Sequence, residues 1–264
     1  MNDLVSGKLA NGKRDRLRES SYAIGRRSFL DILGKTSVMF TPGVALVGLA
    51  EARSIDEPIE SVHRWGMLIN VNQCVRGCNE CVSACVKENA LIGYNRPKTD
   101  ARWIRKVTIR DLRFGHISSL PLMCQHCQHP PCVDVCPTGA SFQRVDGVVL
   151  VDKHICIGCR YCMMACPYKA RSFVHDPISN QKSHAPRGKG TVEACTLCVH
   201  RVGNGTPNQV PACVDACLSK GNGAMVFGDM EDPSSQISRE LKRYASVELR
   251  GDMRLEPSVR YRGI

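Results

Sequence analysis

Sixteen cysteines lie between positions 74 and 217 and fall into four groups of four. They are CVRGCNECVSAC (Cys74, Cys78, Cys81, Cys85), CQHCQHPPCVDVC (Cys124, Cys127, Cys132, Cys136), CIGCRYCMMAC (Cys156, Cys159, Cys162, Cys166) and CTLC…CVDAC (Cys195, Cys198, Cys213, Cys217). The third group is C-x2-C-x2-C-x3-C followed by Pro167, the spacing of a [4Fe–4S] cubane site. Thiols at x2 spacing curl the backbone around one cube and aim its amide N–H groups at the sulfur. The fourth thiol starts a helix and ligates the other cube of a pair, and Pro167 keeps the chain from closing back on the first. Sixteen ligands of this kind suit four [4Fe–4S] clusters with no thiol left over.

The second group also ends in Cys-Pro, at Cys136-Pro137, with an insert at 128–131 (QHPP). The first and fourth end in Cys85-Val86 and Cys217-Leu218. Exchange of the fourth ligand within like pairs then gives a nested arrangement. Cys124, Cys127 and Cys132 share a cube with Cys166; Cys156, Cys159 and Cys162 share one with Cys136. Cys74, Cys78 and Cys81 share one with Cys217; Cys195, Cys198 and Cys213 share one with Cys85. Pairing of neighbouring groups, first with second and third with fourth, is the alternative. Zinc takes cysteines in pairs rather than quartets ending in C-x3-C-P. Disulfides fail because cysteines three apart make no framework of long-range staples. His126, His129 and His154 stand beside the cysteines, but each cube already has four thiolates, so they are read as supporting or surface residues.

The elements that must hold these groups are short. Strand-like runs at 66–71 (GMLINV) and 147–151 (GVVLV) lead into the first and third groups, and 224–228 (AMVFG) follows the fourth. Each C-x3-C places two thiols on one face of a helical turn. Residues 101–114 alternate as strands with charge on one face and read as a solvated hairpin. Residues 234–245 read as a surface helix capped by Ser, and the polar tail beyond Gly251 as a wrap over the surface or a partner. With only 6 Phe, 6 Tyr and 2 Trp, the clusters must do much of the holding. The expected fold class is α+β: tandem bacterial-ferredoxin-like two-cluster modules with loop and hairpin inserts, over 53–230, with a C-terminal helix and tail over 231–264.

Residues 1–52 read as an address. Arg26 and Arg27 precede Ser28-Phe29-Leu30, an apolar stretch follows over 37–50, and Ala50-Glu51-Ala52 is an A-x-A cleavage pattern. The apolar stretch is too short for a membrane span and holds Pro42 and Gly43. A twin-arginine signal delivers a folded protein to the periplasm, which explains thiols in an oxidising compartment: iron already occupies them. The net charge of +11 falls to +8 without residues 1–52, which hold eight Lys/Arg and five Asp/Glu. Four ligated clusters at about −2 each bring it near zero. No basic stripe with interleaved aromatics points to nucleic acid.

From Trp65 onward the chain resembles the four-cluster ferredoxin-like subunits of polysulfide, dimethyl sulfoxide and nitrite reductase systems. All four cysteine groups carry the resemblance, with CIGCRYCMMACPY (156–168) and VFGD (226–229) its most specific parts. In HRWGM (63–67), CIGCRYCMMACPYKARSF (156–173), PRGKGTVEACTLC (186–198) and VRYRGI (259–264) it is similar to the DsrO branch, the periplasmic iron–sulfur subunits of DsrMKJOP complexes in dissimilatory sulfur metabolism. The resemblance implies the nested ligand pairing, a quinone-interacting polytopic membrane partner of the NrfD type, a multihaem cytochrome c and further subunits of such a complex. One departure is the first interval, C-x3-C, with Val75-Arg76-Gly77 inside it. The expected role is an electron relay in a membrane complex rather than an enzyme with its own substrate site or a free shuttle. No nucleophile–base pair or nucleotide loop stands out, and the inserts at 86–123 and 167–194 exceed what a shuttle needs.

Overall fold

The computed structural model describes residues 63–91, 93–202 and 209–264, all within one unit spanning Pro58–Ile264. The twin-arginine signal expected over 1–52 lies outside the described residues.

The core is built on β1 (Trp65–Asn70), whose four middle residues are all buried. A strand buried on both faces reads as a continuous apolar run rather than an alternating one, and Met67-Leu68-Ile69 is such a run. β8 (Met225–Asp229) pairs with β1 antiparallel, and β9 (Val259–Arg262) pairs with it parallel, so the sheet order is β8-β1-β9. Met67, Ile69, Met225, Val259 and Tyr261 are at most 1% exposed, so this sheet lies in the interior. Glycine is required at position 66: a Cβ there would run into the Met230 side chain and lie 2.8 Å from the Ser258 carbonyl oxygen. His63 and Phe227 stack on either side of Trp65, at centroid distances of 5.4 and 5.5 Å. Asp229 fixes the entry to β1 by accepting hydrogen bonds from the backbone N–H groups of Arg64 and Glu231, both at 3.0 Å.

Three hairpins surround the sheet: β2 (Ile104–Arg110) with β3 (Ile117–Met123), β4 (Ser141–Gln143) with β5 (Val149–Val151), and β6 (Arg171–Phe173) with β7 (Val192–Ala194). Helices carry the last two cysteines of the first and fourth groups and the third cysteine of the second and third, with Cys136 and Cys166 falling just beyond them. α1 (Glu80–Glu88) packs on α5 (Ala212–Ser219), and α2 (Pro131–Asp134) packs on α3 (Tyr161–Ala165). α4 (Val199–Val202) follows Cys198 directly. α6 (Gln236–Arg243) lies on β8 with Ile237 fully buried, and the Ser235 hydroxyl caps it by accepting from the Ser238 N–H at 3.1 Å.

Two expectations change. Residues 101–114 form only the first strand and turn of a hairpin. The returning strand is β3, which holds Pro121 opposite Lys106 and delivers the chain straight into Cys124. Proline is tolerated there because this two-stranded ribbon leaves its N–H side unpaired. The tail does not stay at the surface: β9 forms one side of the central sheet, with Val259 and Tyr261 inside and Arg260 and Arg262 half-buried.

Candidate iron–sulfur centres

All sixteen thiols are free of disulfides, and the fold gathers them in fours. Cys81 is faced by Cys74, Cys78 and Cys217. Cys195 is faced by Cys85, Cys198 and Cys213, and these four line one small cavity together with Met67, Trp103, Ile104 and Met123. Cys127 is faced by Cys124, Cys132 and Cys166. Cys136, Cys156, Cys159 and Cys162 line a second small cavity. Helix geometry splits the groups in this way. Cys81 and Cys85 lie one turn apart on α1, and Cys213 and Cys217 one turn apart on α5. Packing the two helices sets each thiol of one pair toward a different neighbour.

Neighbouring sets influence one another in succession. Cys162 acts electrostatically on Cys132, Cys124 on Cys195, and Cys81 on Cys213. The order is therefore the set of Cys136, that of Cys124, that of Cys85 and that of Cys74. Every thiol of the two middle sets is buried. The outer sets reach outward: Cys74, Cys78, Cys136 and Cys156 are partly exposed and Cys159 is exposed.

A repeated backbone turn shapes each loop. Gly77, His126, Gly158 and Leu197, with φ of 87°, 45°, 70° and 54°, each stand immediately before the second cysteine of their group. Only glycine adopts this region freely, so His126 and Leu197 are held there against a cost of about 1–2 kcal/mol. The extra residue of the first group leaves this turn in place, with Gly77 in the left-handed position.

Donors converge on the sulfur atoms. Backbone N–H groups of Ser141, Val192 and Leu197 donate to Cys136, Cys156 and Cys195 at 3.3, 3.4 and 3.4 Å. Lys106 Nζ donates to Cys74 Sγ at 2.8 Å, Arg171 Nη2 to Cys132 Sγ at 3.0 Å, and Asn89 Nδ2 to Cys85 Sγ at 3.7 Å. Such donors favour anionic sulfur, as in a thiolate bound to iron. Without iron the same pockets hold neutral thiols: burial pushes Cys85, Cys124 and Cys127 up to about 12 and Cys81 to about 11. Arg171 Nε and Nη1 are buried and have no hydrogen-bond partner in the protein. These features fit a bound cluster, whose sulfur would accept from the orphan donors and whose iron would stabilise the thiolates.

The histidines stay outside the ligand sets. His126 is fully buried, accepts from the Val149 N–H through Nδ1 at 3.0 Å, and is held neutral by burial, with a pKa of about 3. His129 and His154 are exposed. Lys106, Arg171 and Asn89 went unread in the sequence. Lys106 and Arg171 come from hairpins more than 30 residues from the thiols they touch, and no spacing rule links them.

Residues 116–230 match the 4Fe-4S dicluster domain family. The chain is 38% identical to the Hdr-like menaquinol oxidoreductase iron-sulfur subunit 1 of Archaeoglobus fulgidus, over 90% of this chain and 97% of that one. It is 36% identical to a subunit of the tetrathionate reductase of Salmonella typhimurium, over 90% and 88% of the two chains. Against protein NrfC of Escherichia coli the identity is 37%, over 68% and 72%.

Proposed function

Because the chain belongs to the iron–sulfur electron-transfer subunits of oxidoreductase complexes, we propose that it is a four-cluster relay between a membrane quinone site and a second redox partner. As in that family, it carries [4Fe–4S] clusters and transfers electrons rather than converting a substrate. The observation that carries the relay reading is the succession of four thiol sets, buried in the middle and open to the surface at both ends. Bound clusters supply reversible one-electron chemistry. The chain's own residues supply the order, the insulation of the middle sets and the donors to sulfur.

The ligand sets in this proposal are the nested ones: Cys74, Cys78, Cys81 and Cys217; Cys85, Cys195, Cys198 and Cys213; Cys124, Cys127, Cys132 and Cys166; Cys136, Cys156, Cys159 and Cys162. They make two ferredoxin-like halves, each built on one pair of cysteine-bearing helices. The name of the Archaeoglobus relative, a menaquinol oxidoreductase subunit, supports a quinol side. We assign that side to an NrfD-like polytopic membrane subunit and the other to a multihaem cytochrome c, in a DsrO-type complex of sulfur metabolism. No helix among the described residues is long and apolar enough to cross a membrane. In this reading the membrane contact is made through the partner subunit.

Purified anaerobically, the chain is expected to exchange electrons with artificial dyes. It should show no turnover with quinol, sulfite or polysulfide, and quinol oxidation or reduction should appear only when the membrane subunit is added back. Quinol turnover by the isolated chain would reveal a substrate site of its own and end the relay reading. The periplasmic assignment has a separate test. Arg26→Lys together with Arg27→Lys should leave the precursor in the cytoplasm, while the wild-type chain accumulates in the periplasm with an N-terminus near Arg53. Undiminished periplasmic accumulation of the double variant would remove the twin-arginine route.

A further inference from the structure

Arg171 is 5% exposed and sits on β6, paired with Ala194 of β7. Its Nη2 donates to Cys132 Sγ at 3.0 Å, and its charge also acts on Cys124 and Cys162. Those thiols belong to two different sets, Cys124 and Cys132 to one and Cys162 to the next. Among the described residues it makes no ion pair with a carboxylate, and Nε and Nη1 have no partner. A buried guanidinium without a counter-ion is strongly unfavourable. The anionic groups within its reach are sulfur atoms, and its planar fork can serve two sides at once as a lysine cannot.

We propose that Arg171 is a shared, fixed counter-charge that raises the reduction potentials of both clusters in the half held by the second and third cysteine groups. The proposal rests on the reading that these thiols hold [4Fe–4S] clusters. On reduction a bound cluster would accept one electron from the reduced redox partner, with no atom transferred, and its net charge would become more negative by one. A buried cation between the two sites favours that more negative state at both. The other half has a different arrangement: Lys106 donates to Cys74 at its outer set, and no described cation donates to the sulfur atoms of Cys195 or Cys213. Arg171 is thus a positioning residue for charge, acting through the sulfur ligands.

Redox titration of the anaerobically purified holoprotein, followed by electron paramagnetic resonance with iron content measured alongside, tests this. Arg171→Gln should keep the full iron content and lower both potentials of this half. The expected drop is at least a tenfold change in the reduced-to-oxidised ratio at fixed potential, about 59 mV for a one-electron couple. The two potentials of the other half should stay unchanged. Arg171→Lys keeps the charge but not the fork, so one of the two potentials should fall and the other should hold. It decides the matter if the Gln variant loses iron. A full-iron Gln variant with unchanged potentials, or a Lys variant in which both potentials fall by the full tenfold ratio although the charge is kept, overturns the role of Arg171 as a counter-charge and leaves the relay reading standing. A wild-type protein without cubane signals overturns both.

Discussion

Replacing Cys85 with serine is expected to lower the iron content, under the four-cluster proposal from about 16 to about 12 atoms per chain, with the loss falling on the cluster assigned there to Cys195, Cys198 and Cys213. Cys85 is four residues from Cys81 on α1, so sequence proximity alone would assign it to the set of Cys74. The fold points it the other way. Among thiols, Cys198 exerts the largest influence on Cys85, whereas Cys81 is faced by Cys74, Cys78 and Cys217. Serine keeps the helix and its packing but offers a poorer iron ligand, so the three remaining thiolates hold an incomplete site. Iron analysis combined with Mössbauer and paramagnetic resonance spectra of the reduced protein reads the outcome. Cys81→Ser is the control and should strike the cluster of Cys74 instead. If Cys85→Ser removes the signals assigned to the cluster of Cys74, the nested ligand sets are wrong.

The second large effect concerns stability. Breaking the Arg187–Glu193 pair from one side is expected to destabilise the chain by about 3–5 kcal/mol. The two side chains are 3% and 0% exposed and meet in a bidentate contact, Nε to Oε2 at 2.9 Å and Nη2 to Oε1 at 2.8 Å. Arg187 Nη1 also donates to the Ala90 carbonyl at 2.8 Å, tying the loop before β7 to the end of α1. Glu193 stands on β7 between Val192, whose N–H reaches Cys156, and Ala194, which precedes Cys195. One staple therefore holds the approach to two thiol sets. Arg187→Met leaves a buried carboxylate without a partner, and Glu193→Gln removes the charge that compensates Arg187. The measurement is the denaturant midpoint of the anaerobic holoprotein. The double variant Arg187→Met with Glu193→Leu should recover much of the loss, since an apolar pair replaces the ionic one without stranding a charge. A loss under about 1 kcal/mol in both single variants would show that the pair is not a structural staple.

The cysteine groups were legible because iron ligation restricts spacing tightly; C-x3-C spans a helical turn in the first and fourth groups, whereas Cys136 and Cys166 fall just past short helices. Strand β1 was legible because Met67-Leu68-Ile69 is apolar without interruption. The loop turns were half legible: Gly77 and Gly158 announce left-handed backbone, but His126 and Leu197 adopt it only because the surrounding fold compels them. The donors to sulfur were hidden, since Lys106 and Arg171 look like ordinary strand charges until the hairpins fold back. Strand β9 was passed over because Arg260 and Arg262 make VRYR look polar, although Val259 and Tyr261 alternate with them at the period of a half-buried strand. Strand β3 was passed over because of Pro121.

Strand β9 also has a bearing on biosynthesis. It leaves the ribosome nearly two hundred residues after β1, the strand whose edge it covers. At 5–20 residues per second, β1 waits roughly 10–40 s for β9, with the ladder of N–H and C=O groups on that side and an apolar flank open. During that interval the open edge offers a template for intermolecular pairing. A chain truncated before Val259 would keep that edge of β1 uncovered.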